Sequence, residues 1–167
     1  MSENVTITEL LKPEELVEIR QIAAVIWPET FRTILSGEQI AYMIKMMYDP
    51  SVMERELADG FHFALLRIDG VAAGYCSWSA YRPGAAKLHK VYLLSNYHFR
   101  GYGRMMIEYV ASRCRRDGFC ELYLNVNKRN LTAQAAYRRR GFEAVEAVSI
   151  NIGNGYVMDD FVMRLAL

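Results

Sequence analysis

Gly101 and Gly103 stand one residue apart in the stretch YHFRGYGR, with His98, Arg100 and Arg104 around them. The apolar run before it, KLHKVYLL, reads as a strand. The segment after it, GRMMIEYVASRCRRDG, carries apolar residues at 106, 109, 110 and 114 and reads as a helix ending near Gly118. A strand, a glycine turn and a helix make an anion site. The first helical turn has N–H groups without intrahelical partners, and the macrodipole places about half a positive charge there. Glycine lets the backbone come close to a bulky anion, because no Cβ intervenes. Phosphate suits such a corner. Two common phosphate motifs are excluded by spacing: the third position of a GxGxxG would be Met106, and no GxxxxGK[ST] exists. Taken alone, GYG is divided evenly between a phosphate site and a plain strand-to-helix turn carrying solvated charge.

A second group lies downstream in LNVNKRNLTAQAAYRRRGF. Asn130 suits a helix N-cap. Tyr137 follows seven residues later, nearly two turns on, so both project from one face. By themselves these residues read as an ordinary cap and a packed aromatic. Arg138-Arg139-Arg140 is the solvated end of that helix, favoured by its dipole, with one arginine in reach of a phosphate. Asp159-Asp160 keeps a strand end soluble or recognises a cation. His62, His89 and His98 are scattered, and Cys76, Cys114 and Cys120 have no CxxC spacing. Metal chemistry therefore has little support, and the thiols read as buried and free in a reducing cytoplasm.

Together the two stretches resemble the GNAT superfamily of N-acetyltransferases. LHKVYLLSNYHFRGYGRMM is similar to its acetyl-CoA segment: an apolar strand, a short turn, then Gln or Arg, two residues, Gly, any residue, and Gly or Ala. Gly101 and Gly103 match the small positions, and His98 stands where the family usually has Gln or Arg. LNVNKRNLTAQAAYRRRGF resembles the family's Asn, helix, Tyr-x-x-x-Gly-Phe element. WPETFRTIL, DGVAAGY and MDDFVMRLAL extend the likeness, less specifically, toward bacterial PaiA-type polyamine acetyltransferases. The resemblance implies that acetyl-CoA is the cosubstrate. The amides from Phe99 through Arg100, Gly101, Tyr102 and Gly103 to Arg104 would grip its pyrophosphate, with His98 beside them. The edge of Val91, Tyr92 and Leu93 would pair with the pantetheine arm, and Asn130 and Tyr137 would face the cofactor. Trp27, Thr30 and Phe31 would line the acceptor pocket.

Acetyl transfer to an amine demands a neutral nitrogen. At a lysine-like pKa of ~10.4, roughly one amine in 2500 is neutral at pH 7, a penalty near ~4.6 kcal/mol. A general base offsets part of it, a strand N–H near Val91 to Leu93 would stabilise the oxyanion, and Tyr137 is the family-matched acid for the departing thiolate. His89 is the expected base, because strand alternation gives it the face of Val91 and its reference pKa is near ~6.5. A surface histidine flanked by Lys87 and Lys90 is the competing reading of His89. No cysteine matches a nucleophile motif, so direct attack is expected. The alternative function is a CoA-binding sensor or regulatory module of the same fold.

Positioning these groups requires the rest of the chain. Val5-Thr6-Ile7-Thr8 alternates like a first strand. PEELVEIRQIAAVIW opens a helix, which Trp27-Pro28 is expected to interrupt. EQIAYMIKMMY and SVMERELADG are two further helices. The first of these is methionine-rich at 43, 46 and 47, for a core or a subunit contact. FHFALLRI, Asp69-Gly70 and VAAGYCSWSAY form a hairpin, and Pro83-Gly84 turns into KLHKVYLL. ELYLNV, NLTAQAAYRRR, FEAVEAVSINI and YVMDDFVMRLAL then read as strand, helix, strand and strand. The order predicts an α+β fold: a mixed, mostly antiparallel sheet of about seven strands flanked by helices, in one domain over 1–167. With 52% apolar residues the chain suits a packed core, and a net charge of +1 offers no global field for nucleic acid or an anionic membrane. The acidic start, MSENVTITELLKPEEL, lacks the pattern of a secretory signal, and no apolar run approaches the ~20 residues of a membrane span. A cytoplasmic protein acting on a small-molecule amine is expected, with a homodimer as an assembly common among its kind.

Overall fold

The computed structural model describes residues 2–167. Strand β1 (Val5–Leu10) leads through a 3-10 turn into helices α1 (Val17–Phe31), α2 (Gly37–Tyr48) and α3 (Pro50–Ala58). Strands β2 (His62–Ile68), β3 (Val71–Arg82) and β4 (Ala85–Leu93) form a meander. Helix α4 (Tyr102–Arg116), strand β5 (Glu121–Asn127) and helix α5 (Leu131–Arg139) follow, and strands β6 (Glu143–Gly153) and β7 (Tyr156–Ala166) close the chain. The sheet has seven strands in the order β1-β2-β3-β4-β5-β7-β6, and only β4 and β5 pair in parallel. This is the mixed, mostly antiparallel α+β architecture expected from the pattern.

Alternation along the strands splits the core across the sheet. Phe63, Leu65 and Tyr75 pack with Ile19, Ile26, Trp27, Met43 and Met53 of α1 to α3. Ala64, Cys76, Leu88, Leu122 and Leu124 pack on the other face with Ile107, Val110 and Cys114 of α4. Burying each large apolar side chain stabilises the fold by ~1.5–3 kcal/mol. The tight turn at Asp69-Gly70 has both residues at positive φ, 50° and 83°, as a two-residue hairpin requires.

Two local expectations are corrected. Helix α1 runs through Pro28 to Phe31 rather than stopping at Trp27-Pro28. Pro28 lies on the exposed face, as does Ala24, whose carbonyl water can satisfy in place of the missing N–H. The second correction concerns His89. Ser77 pairs with Lys90 and Trp78 with Leu88, so a bulge leaves His89 as an extra residue on β4. Alternation breaks there. His89 stacks on Phe61, with ring centroids 4.6 Å apart, and its Nε2 lies 2.7 Å from Ser79 Oγ. It does not share the face of Val91. Burial, reinforced by the Lys90 and Lys87 charges, lowers its pKa to about 3.

Two consequences are measurable. Between pH ~6.5 and about 3 the unfolded chain binds the imidazole proton and the folded chain does not. Stability is therefore full above ~6.5 and lost as pH falls, by up to ~1.4 kcal/mol per pH unit from this group. Denaturation midpoints at pH 7.5 and 5.5 should drop less in His89→Gln than in the natural chain, and equal drops would refute the burial effect. At Gly74, which pairs with Leu93, a Cβ would meet the Tyr92 carbonyl oxygen at 2.7 Å. Gly74→Ala should cost ~1–3 kcal/mol by denaturant titration, because backbone must shift to admit it.

Candidate active site

The parallel ladder of β4 and β5 joins only Ala85–Leu88 to Glu121–Leu124. Beyond it the strands part, and Val91, Tyr92 and Leu93 face Asn125, Val126 and Asn127 across a cleft of about 590 Å³. That volume is in the range of small-molecule sites. On its other side β4 stays paired, with Gly74, Tyr75 and Cys76 of β3 opposite Leu93, Tyr92 and Val91. The backbone of Val91–Leu93 thus turns one unpaired edge into the cleft, able to accept an extended ligand as an added strand.

The glycine corner forms one end. Gly101 has φ 88° and caps α4, a conformation that glycine adopts freely and side-chain-bearing residues rarely do. Phe99 precedes it at φ 61° with its ring 92% exposed. Gly103 is different. It is absent from the positive-φ glycines, and a Cβ built on it would meet nothing within 4 Å. Neither backbone nor packing demands glycine there, and the free space opens on the cleft. His98, Phe99, Gly101, Gly103 and Arg104 all line it. His98 Nε2 donates to the Leu93 carbonyl at 2.9 Å, bracing the corner against the end of β4. The side chains of Arg100 and Tyr102 turn the other way. The Arg100 guanidinium and the Tyr102 hydroxyl both bond the Glu3 carboxylate, so residue 3 anchors the corner from behind.

Helix α5 forms the second wall. The Asn130 side chain accepts from Ala133 N at 3.2 Å, capping the helix, while the residue also lines the cleft. Tyr137 lies two turns on along the same wall, edge-on to Phe142 at 5.8 Å. Burial raises its pKa to about 12, so the phenol holds its proton at neutral pH. Arg139 and Arg140 extend the wall beyond it. The Arg129 guanidinium donates to the Thr33 and Ile34 carbonyls, tying the loop before α5 to the loop after α1.

The third wall is aromatic. Trp27 lies 4.5 Å from Phe31 and 5.5 Å from Tyr92, and Thr30, Leu35 and Met43 continue the surface. Trp27 Nε1 donates to Tyr48 Oη at 2.9 Å, and the Tyr48 and Tyr75 hydroxyls lie 2.6 Å apart. These bonds hold the box from below. Asp160 of β7 lies at the floor, 3% exposed. Glu29 stands at the exposed mouth.

The structure thus brings Val91, Tyr92, Leu93, His98, Phe99, Gly101, Gly103, Arg104, Asn130 and Tyr137 to one cleft, with Trp27, Thr30 and Phe31. It leaves out His89 and turns Arg100 and Tyr102 aside. Asn125 and Asn127 were not singled out for the site, and Asp160 reads in the sequence as a solubilising strand end or a cation-recognising group. The signal for the first two was present, as polar residues at alternate positions of an otherwise apolar strand. Among the described residues no cluster of His, Cys, Asp and Glu could hold a metal ion, and no helix is long and apolar enough to cross a membrane.

Comparison with known proteins bears on this cleft. An uncharacterized N-acetyltransferase of Mycobacterium tuberculosis is 27% identical over 146 residues, covering 84% of this chain and 94% of that protein. The PaiA N-acetyltransferase of Thermoplasma acidophilum, solved in complex with coenzyme A, superposes with a TM-score of 0.83 at 21% identity, covering 98% of this chain and 99% of the other. The acetyltransferase YncA of Salmonella typhimurium, solved with acetyl-CoA, gives 0.67 at 20% identity over 98% and 94%. These likenesses establish a shared fold. The family model of the acetyltransferase (GNAT) family matches residues 16–142, and this chain belongs to that family of acetyl-transferring enzymes.

Proposed function

We propose that the protein is an acetyl-CoA-dependent N-acetyltransferase that moves an acetyl group to a primary amine by direct attack in a ternary complex. One observation carries this reading above the others. Gly103 is a glycine that neither its backbone nor its neighbours require, and the side chain it lacks would fill the cleft beside the open edge of β4. A thioester of coenzyme A supplies an activated acetyl group and an anionic diphosphate. The amides of residues 99–104 and the Arg104 side chain suit the diphosphate, and Arg139 and Arg140 suit a further phosphate. The edge of Val91–Leu93 suits the amide-bearing arm, and a strand N–H there would stabilise an oxyanion.

Tyr137 keeps its proton and lies on the cleft wall, so it is placed to protonate a leaving thiolate. The aromatic box of Trp27, Phe31 and Tyr92 offers π faces to a cationic acceptor with an apolar stem. A small-molecule amine, polyamines included, fits this box better than a protein N-terminus does. Direct attack accords with the thiols: Cys76 and Cys114 are buried, with pKa values pushed up to about 12 and about 11, and no cysteine lines the cleft.

Gly103→Leu should leave the thermal midpoint unchanged or higher, since nothing in the protein occupies that space. It should weaken coenzyme A binding by calorimetry at least ~10-fold, or ~1.4 kcal/mol. Retained affinity would move the diphosphate elsewhere. Tyr137→Phe should lower kcat by ~100-fold or more at nearly unchanged coenzyme A affinity. If kcat holds, the acid is another group.

A further inference from the structure

The reading above leaves the amine without a group to take its proton, since His89 lies outside the cleft. We infer that Asp160 is that group: at the cleft floor its carboxylate receives the acceptor ammonium and accepts the proton that the nitrogen loses before attack. The inference rests on the proposed transfer to an amine and adds a catalytic residue to it.

The geometry is specific. Asp160 pairs with Asn127 of β5 and Val148 of β6, in the middle of a three-strand segment, and is 3% exposed. A carboxylate this buried ordinarily has a cationic or hydrogen-bonding partner. Its hydrogen-bonding partner is the Asn125 side chain, and among the described residues no Lys or Arg forms an ion pair with it, whereas its neighbour Asp159 bonds Lys128 at 2.6 Å. Asn125 lies beside it on β5 and has a buried Oδ1 with no partner in the protein. Two oxygen acceptors therefore meet at the floor of an aromatic box, which is the donor-hungry surface an alkylammonium needs.

The groups that surround the carboxylate set its proton affinity. Burial raises the Asp160 pKa first of all, and the nearby charge of Asp159 adds to this. A hydrogen bond from Asn125 and the charges of Lys87 on β4 and Lys128 pull it partly back. Tyr92 also faces it, and the Tyr92 phenol, raised well above its ordinary value by burial, stays neutral. Tyr137 holds its proton too, and Glu29 of α1 stands at the mouth of the same cleft. Asp160 is thus the buried anion of the site.

The proton balance closes on these residues. The ammonium gives one proton to Asp160, which passes it to solvent through the cleft. The freed lone pair forms the new N–C bond at the acetyl carbonyl, and the C–S bond breaks with its electron pair on sulfur. Tyr137 protonates that sulfur and regains a proton from the nitrogen of the collapsing intermediate. The products are the acetamide, a free thiol and one released proton.

The test uses acetyl-CoA with a panel of primary alkylamines, read by thiol release, and carries forward the best acceptor and a fluorinated analogue that is largely neutral at pH 7. Asp160→Asn should lower kcat/KM for the alkylamine ~100-fold or more at pH 7 with coenzyme A affinity unchanged. The deficit should shrink as pH rises toward ~10 and be small for the fluorinated amine, because neither case needs the base. In the natural enzyme kcat/KM should fall on the acid side with an apparent pKa above the ordinary ~3.9 of aspartate, and Asp160→Asn should lose that limb. Asp160→Ala should regain rate on addition of formate. A deficit equal at every pH and for both amines, or no deficit, overturns the role. If the natural enzyme acetylates no amine while binding coenzyme A, the proposed reaction itself fails and this role falls with it.

Discussion

The parting of β4 from β5 is the constraint on which the rest of the molecule depends. A parallel pair inside a sheet is ordinarily buried and continuous, because each unpaired N–H or C=O in a dry interior costs free energy. Here four residues of each strand pair, and then two interior strands diverge with polar backbone turned into the gap. The gap is stable because both of its sides are held from outside. β3 pairs β4 to its end, and β7 pairs β5 along its whole length. Close contact at Gly74 keeps β4 tight on β3, so β4 opens on its β5 side.

Everything chemical follows from which elements border that opening. The turn out of β4 must reverse direction within a few residues to start α4, which places left-handed backbone at Phe99 and Gly101. At Phe99, which is not a glycine, such backbone is strained and persists only when its surroundings hold it. Glu3 bonds the corner from behind and His98 ties it to the Leu93 carbonyl, so the amides at the start of α4 have a fixed direction. Helix α5 reaches the same opening because its cap, Asn130, follows directly on β5.

The two faces of the sheet give the opening two different characters. Toward α4 and α5 it is bordered by helix starts and arginines, a setting for anions. Toward α1 and α2 it is bordered by stacked aromatic rings over a buried carboxylate, a setting for a cation with an apolar stem. The proposed transfer of an acetyl group from an anionic carrier to an amine would use both, separated by the thickness of one sheet. Burial supplies the proton inventory as well, raising Tyr137 and Asp160 alike so that one is a retained acid and the other a stronger base than a surface aspartate.

Local pattern alone determined the elements and their order, apart from the end of α1, and the two motifs carried the family resemblance. Glycine turns, alternation and helical periodicity are short-range effects, and they point correctly to the hairpin at Asp69-Gly70, to the glycine turn that opens α4 and to the cap at Asn130. What only the tertiary structure decided is where each side chain ends up. The bulge between β3 and β4 moved His89 to the opposite face, since register belongs to a pair of strands and cannot be read from one. The Arg100 and Tyr102 side chains turn away from the cleft because Glu3, almost a hundred residues away, claims them, while the backbone of both stays in the corner. For Asp160 the sequence left a solubilising strand end and a cation-recognising group side by side, because its burial depends on β5 and β6 lying on either side, a fact of assembly and not of local sequence.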